Sequence, residues 1–157
     1  KQGIEQKGGD YYRKHQAITM FGFSIKDFSG GHNMNVLVVD DFATMRKIVR
    51  NVLKQIGIES VVEAENGKMA LDVLKREEID LIISDWIMPE MTGIDFLKAC
   101  KSDDGIKNIP FLMVTAEAQK GCIMEAIKSG VDNYIVKPFT PDKLQAAIEK
   151  AKARIGK

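Results

Sequence analysis

The chain is poor in several features that would each direct it to a particular kind of work. It has two cysteines, Cys100 and Cys122, among 157 residues. Both fall in helix-like stretches at no metal or redox spacing, so they are expected to be reduced packing residues of a cytoplasmic protein. No apolar run exceeds a few residues, against the ~20 that cross a bilayer. The start lacks the basic-then-apolar plan of a signal peptide, so neither membrane nor secretion is expected. Excess charge of one sign is missing too. With 23 Lys+Arg against 22 Asp+Glu the formal net charge is +1, which gives no basis for capture by nucleic acid or an anionic membrane. Histidine occurs twice, at His15 and His32, both close to the start.

What is present suits one globular domain. Hydrophobic residues make up 45% and charged residues 29%, enough for a single sizeable core. Residues 1–33 stand apart, with Gly8-Gly9, Gly30-Gly31 and no sustained helical period. Phe21, Phe23 and Ile25 alternate there, which admits a short strand. The chain starts at Lys1 rather than Met, and residues 1–33 are expected to be a tail, a linker or a vector-derived extension. A native arm that docks on the domain or on a partner is the alternative. The compact domain is expected over residues 34–157.

From Met34 onward strand and helix signals alternate five times. Asn35 to Val39 is a short apolar strand followed by Asp40-Asp41. Met45, Ile48, Val49, Val52, Leu53 and Ile56 then recur at helical spacing until Gly57. Ser60 to Glu63 is half-polar, as an edge strand would be. The turn signal Asn66-Gly67 introduces a helix with Met69, Leu71, Val73 and Leu74. Ile79 to Ser84 is apolar on both faces and reads as a central strand. A third helix carries Ile94, Phe96, Leu97 and Ala99, and Pro110 to Val114 is the fourth strand. Ile123, Ala126 and Ile127 mark a fourth helix, and Val131 to Val136 a fifth strand. Thr140-Pro141-Asp142 caps the last helix, whose stripe is Leu144, Ala147, Ile148, Ala151 and Ile155. The pattern predicts a doubly wound α/β fold with a five-stranded parallel sheet, whose strands end on one edge.

Polar residues collect at those ends: Asp40-Asp41 after the first strand, Asp85 after the third, Thr115 after the fourth and Lys137 after the fifth. Taken singly, each has an ordinary structural reading, Asp40-Asp41 as a helix cap above all. Together they describe a chemistry. Crowded carboxylates repel unless a cation intervenes, and oxygen-only ligands suit a hard ion such as Mg²⁺. Lys137 adds a positive charge and Thr115 a neutral donor that could hold a tetrahedral dianion above Asp85. The set fits phosphoryl transfer to a carboxylate, with Asp85 as nucleophile.

The stretches VVDDFATMRKIVRNVLKQIG, EAENG, SDWIMPEMTG, MVTAEA and YIVKPF resemble the receiver domains of two-component response regulators, most of all the chemotaxis type. The resemblance spans about residues 34–157 and implies the flavodoxin-like form of the fold. It implies that Asp85 accepts a phosphoryl group from a sensor histidine kinase. Mg²⁺ would be held by Asp41, Asp85 and the backbone carbonyl of Ile87, with Asp40 acting through water. Thr115 and Lys137 would contact the phosphoryl oxygens, and Thr115 with Tyr134 would form the switch. The Lys137-Pro138 bond is expected to be cis. Ile87 stands where well-known members carry Asn, so slower or differently assisted loss of the phosphoryl group is expected, while Glu117 matches the family more closely.

With no histidine after residue 33, the phosphodonor is expected to be another protein. No basic recognition helix is visible, and Lys143, Lys150, Lys152 and Arg154 read as a solvated face. Output is therefore expected through a partner surface around residues 118–155, without nucleic acid or membrane. The resemblance points to the flagellar motor switch, and a phosphatase is a further candidate partner. Two rivals are a receiver excised from a larger regulator and a Mg²⁺-dependent phosphatase or flavin enzyme on a similar fold. Ile87 in place of an acid and Asp40-Asp41 in place of a phosphate loop weigh against the second.

Overall fold

The computed structural model describes residues 34–116 and 120–153. The Phe21, Phe23 and Ile25 alternation, both histidines, Glu117, Arg154 and Ile155 lie outside them. In chain order the elements are β1 (Asn35–Val39), α1 (Ala43–Gln55), β2 (Ser60–Ala64), α2 (Gly67–Arg76), β3 (Leu81–Asp85), α3 (Gly93–Ser102), β4 (Phe111–Thr115), α4 (Lys120–Lys128), β5 (Asn133–Val136) and α5 (Pro141–Ala153). All strand pairs are parallel, in the order β2-β1-β3-β4-β5.

The apolar strands occupy the places their composition requires. β1, β3 and β4 have a strand on each side and are buried almost throughout, whereas the half-polar β2 forms an edge and is mostly half-buried. Some strands begin later than their apolar runs. Ile79 is buried but precedes the ladder, and Asp80 ties β3 to β1 by accepting from the Asn35 amide at 2.8 Å. Pro110 has no N–H to give the sheet, and β4 starts after it.

Three of the apolar residues that mark the helical spacing are exposed: Ile48 at 44%, Met69 at 45% and Ile127 at 48%. Each is adjacent in sequence to a fully packed residue (Val49, Ala70 and Ala126) and so sits about 100° around its helix from it. Gly57 ends α1 as expected. Its φ of +91° lets the Ile58 amide reach back to the Leu53 carbonyl at 2.9 Å, a closure that disfavours any side chain.

Against one side of the sheet pack Val73 and Leu74 of α2 with Ile94, Phe96 and Leu97 of α3. The Phe96 and Phe111 rings meet at 5.4 Å between centroids, tilted by 57°, and fasten α3 to β4. Such a pair adds about 1 kcal/mol beyond the area it buries. At the edge of the sheet where the strands begin, Lys101 Nζ lies 2.9 Å from Asp132 Oδ2, which also accepts from the Phe111 amide at 2.8 Å. That edge is fastened shut, and the opposite edge carries the open polar groups.

Candidate functional site

Because every strand runs the same way, their C-terminal ends share one edge. The chain passes from β1 outward to β2 and then crosses back to β3, so a crevice opens between the ends of β1 and β3. Asp40 and Asp41 follow β1, Asp85 is the last residue of β3, Thr115 the last of β4, and Lys137 follows β5. Sheet pairing thus gathers on one edge the five polar residues that the sequence spreads over nearly a hundred positions.

Asp40 is buried, at 3% exposure, and Asp41 is exposed. Asp40 Oδ1 accepts from the Phe42 amide at 2.9 Å, which serves the start of α1. Its other oxygen is 3.2 Å from Lys137 Nζ, and the same ammonium is 3.3 Å from Asp85 Oδ1. One lysine therefore bridges two of the acids. Ligand oxygens of Asp40, Asp41 and Asp85 all lie within 4.8 Å of one another. Burial raises the Asp85 carboxyl above its ordinary value, and the neighbouring Asp40 charge adds to the rise. Lys137 and the Trp86 amide, which donates to Asp85 Oδ1 at 2.9 Å, only partly offset it. An all-oxygen donor set of three acids that one lysine only partly offsets fits a small hard cation.

Thr115 is buried, and its carbonyl accepts from the Lys137 amide at 2.8 Å, so the end of β4 fixes where the lysine leaves the sheet. The Lys137–Pro138 peptide is cis. Tyr134 pairs in register with Met113 and is half-buried against the core. Ile87 and Phe42 are each 69% exposed, and Trp86 packs partly into the core.

The loop after Asp85 is pinned at both ends. Its far end returns through Gly93, whose amide donates to the Trp86 carbonyl at 2.7 Å. A Cβ on Gly93 would collide with the Asp85 carbonyl and lie 2.9 Å from Trp86 Cα. Between these points Met88 is buried, and Glu90 takes a φ of +66° as the Met91 amide closes on the Pro89 carbonyl at 2.7 Å. A non-glycine residue in that region is uncommon and belongs to a tightly shaped turn.

Two participants escaped the sequence reading. Arg46 of α1 donates from Nη1 to the Asp40 carbonyl at 2.8 Å and from Nε to Glu63 Oε1 at 3.2 Å. A signal existed: Arg46 and Arg50 are one helical turn apart, and Glu63 is the lone acid of β2, the strand beside β1.

A family model described as the response regulator receiver domain matches residues 36–149. The chemotaxis protein CheY of Pseudomonas aeruginosa is 47% identical over 122 residues, which cover 78% of this chain and 98% of that protein. Chemotaxis protein CheY1 of Helicobacter pylori is 47% identical over 117 residues, covering 74% of this chain and 94% of that protein. Among solved structures, the chemotaxis response regulator CheY4 of Vibrio cholerae superposes with a TM-score of 0.71 at 34% identity, covering 76% of this chain and 99% of that one.

Proposed function

This chain belongs to the response regulator receiver family, and from that premise we propose that it accepts a phosphoryl group on Asp85 and signals through a surface that responds to it. The observation that carries the proposal is the placement of Asp85. It is half-buried at a strand end, 3.3 Å from Lys137 Nζ and grouped with Asp40 and Asp41. The domain would comprise residues 34–157, with 1–33 as an appended tail, linker or vector-derived segment.

In the proposed reaction an Asp85 carboxylate oxygen attacks the phosphorus of a phosphohistidine on a sensor histidine kinase. An O–P bond forms as the N–P bond breaks, and the imidazole keeps the electron pair and takes up a proton. Burial raises Asp85's pKa in the metal-free chain, and a cation bound beside it would favour the ionised, attacking form. Asp41, Asp85 and the Ile87 carbonyl would hold Mg²⁺, with Asp40 acting through water, and the bound ion would supply positive charge against the phosphoryl oxygens. Lys137 would leave its bridge between Asp40 and Asp85 to meet one of those oxygens, with Thr115 as a second contact. Water attack on the phosphorus would later break the O–P bond, release inorganic phosphate and return the Asp85 carboxylate, and in this proposal the domain promotes both its loading and its reset.

The readout belongs to Thr115 and Tyr134 in this proposal. Beside Tyr134, an open groove of about 400 Å³ between β5 and α5 is lined by Asn133, Val136, Lys143, Ala147 and Lys150. The CheY names of its relatives point to chemotaxis, with the flagellar motor switch as the partner, a phosphatase as an accessory, and the cytoplasm as the place of action. Neither nucleic acid nor membrane enters the reading.

The test is intact mass after incubation with acetyl phosphate and Mg²⁺. The parent is expected to gain one phosphoryl group; Asp85→Asn, or the parent in EDTA, is expected to gain none. A folded parent that stays at its starting mass would remove the proposal.

A further inference from the structure

Asp40 is held by more than its own side chain. Its amide donates to the Ala64 carbonyl at 3.1 Å, and its carbonyl accepts from Arg46 Nη1 at 2.8 Å. Arg46 is in turn fixed by Glu63, Nε to Oε1 at 3.2 Å, and the second oxygen of Glu63 lies 2.8 Å from Arg50. The Arg46 side chain is only 12% exposed. The peptide groups on either side of Asp40 are therefore both tied to β2, the first directly to Ala64 and the second through Arg46 to Glu63. The second of these peptide groups joins Asp40 to Asp41, so the hold on the Asp40 carbonyl bears on where both acids point.

We infer that Arg46, braced by Glu63, is a positioning residue for the acid pair: it fixes the Asp40 carbonyl, and through it the carboxylates that would take the metal. The inference rests on the proposed Mg²⁺ site and adds to it a residue that touches neither ion nor phosphoryl group. A guanidinium has the geometry for this task. It is always charged, and its planar fork holds a carbonyl with one nitrogen and a carboxylate with another.

The sign of the effect separates positioning from mere charge. A cation near the acids repels a second cation, so if Arg46 acted through charge alone, removing it would tighten Mg²⁺ binding. If it positions the acids, removing it weakens binding despite the lost repulsion. Outer hydrogen bonds of this kind are worth about tenfold or more in metal affinity.

The experiment is a Mg²⁺ titration followed by Trp86 fluorescence, with thermal melting of the metal-free chains alongside. Arg46→Met is expected to raise the Mg²⁺ midpoint about tenfold, and Arg46→Lys to fall between it and the parent. A role in stability alone would lower the melting temperature and leave the midpoint of the folded chain where it was. An Arg46→Met chain that binds Mg²⁺ as well as the parent, or better, overturns the inference while leaving the metal site intact. A parent without any Mg²⁺ response removes the metal reading and this inference together. If Arg46→Met does not fold, Glu63→Gln decides: it keeps Arg46 and loosens its brace, and an unchanged midpoint there counts against the role.

Discussion

A carboxylate partly withdrawn from water and set beside another acid ionises less readily than a free one, and Asp85 is in that situation. Its folded-state pKa lies above the ordinary 3.8, so Asp85's contribution to stability is full below that value and is lost as pH rises through the folded value. At neutral pH the charged side chain is therefore a net cost to the fold. Asp85→Asn should make the metal-free protein more stable near pH 7, and the advantage should shrink as pH approaches about 4. Urea melts at several pH values check this; an advantage independent of pH would assign the effect to packing. Ile87 poses a different question at the same site. Its side chain is 69% exposed and has no polar atom with which to orient a water. Ile87→Asn is expected to shorten the lifetime of the phosphorylated chain several-fold, measured as loss of the phosphoryl mass over time; an unchanged lifetime removes the side chain from the reset step.

Among the elements, α3 depends most on a single atom that is absent. Its first residue, Gly93, presses against the backbone of Asp85 and Trp86 so closely that a methyl group cannot fit. Gly93→Ala should cost about 1–3 kcal/mol in overpacking and shift Trp86 emission, because relief requires α3 or the loop to move. Denaturant melts and emission spectra follow the two effects separately; a shift in neither would mean that the backbone yields freely. The elements were legible because they satisfy two periods at once. Runs such as NVLVV and LIIS could bury both faces only in the middle of a sheet, and the half-polar SVVE could lie only at its margin. Illegible were the facing angles of Ile48, Met69 and Ile127, because a residue next to the centre of a stripe satisfies the same spacing pattern while pointing aside. The starts of β3, β4 and β5 were read one or two residues early for a related reason: burial extends ahead of the hydrogen-bond ladder, as at Ile79 and Val131, and sequence reports burial.

For the whole molecule, the acids of the site were readable because parallel topology leaves strand ends only one edge to share. Arg46 and Glu63 were not, since their meaning depends on β2 lying beside β1, a neighbour relation that no local pattern encodes. The same gathering should tie stability to the metal. If Asp40, Asp41 and Asp85 share one Mg²⁺, the ion binds the folded chain alone, and at a hundred times its dissociation constant it should add about 2.7 kcal/mol. The melting temperature should then rise with Mg²⁺ and fall back on adding EDTA. Asp85→Asn should lose most of that response, and an equal response in both chains would place the ion elsewhere.

The bridge from Lys137 to Asp40 spans 97 positions of sequence, and this has a consequence for a chain still emerging from a ribosome. All three acids exist well before their lysine has been made, so a nascent chain carries them before the residue that lies against two of them in the folded sheet. Such a chain lacks α5 and is unfinished as a fold. If Asp85 is the phospho-acceptor proposed above, synthesis withholds its lysine until β5 has been translated and laid against β4, and a product terminated before Lys137 is expected to take up no phosphoryl group.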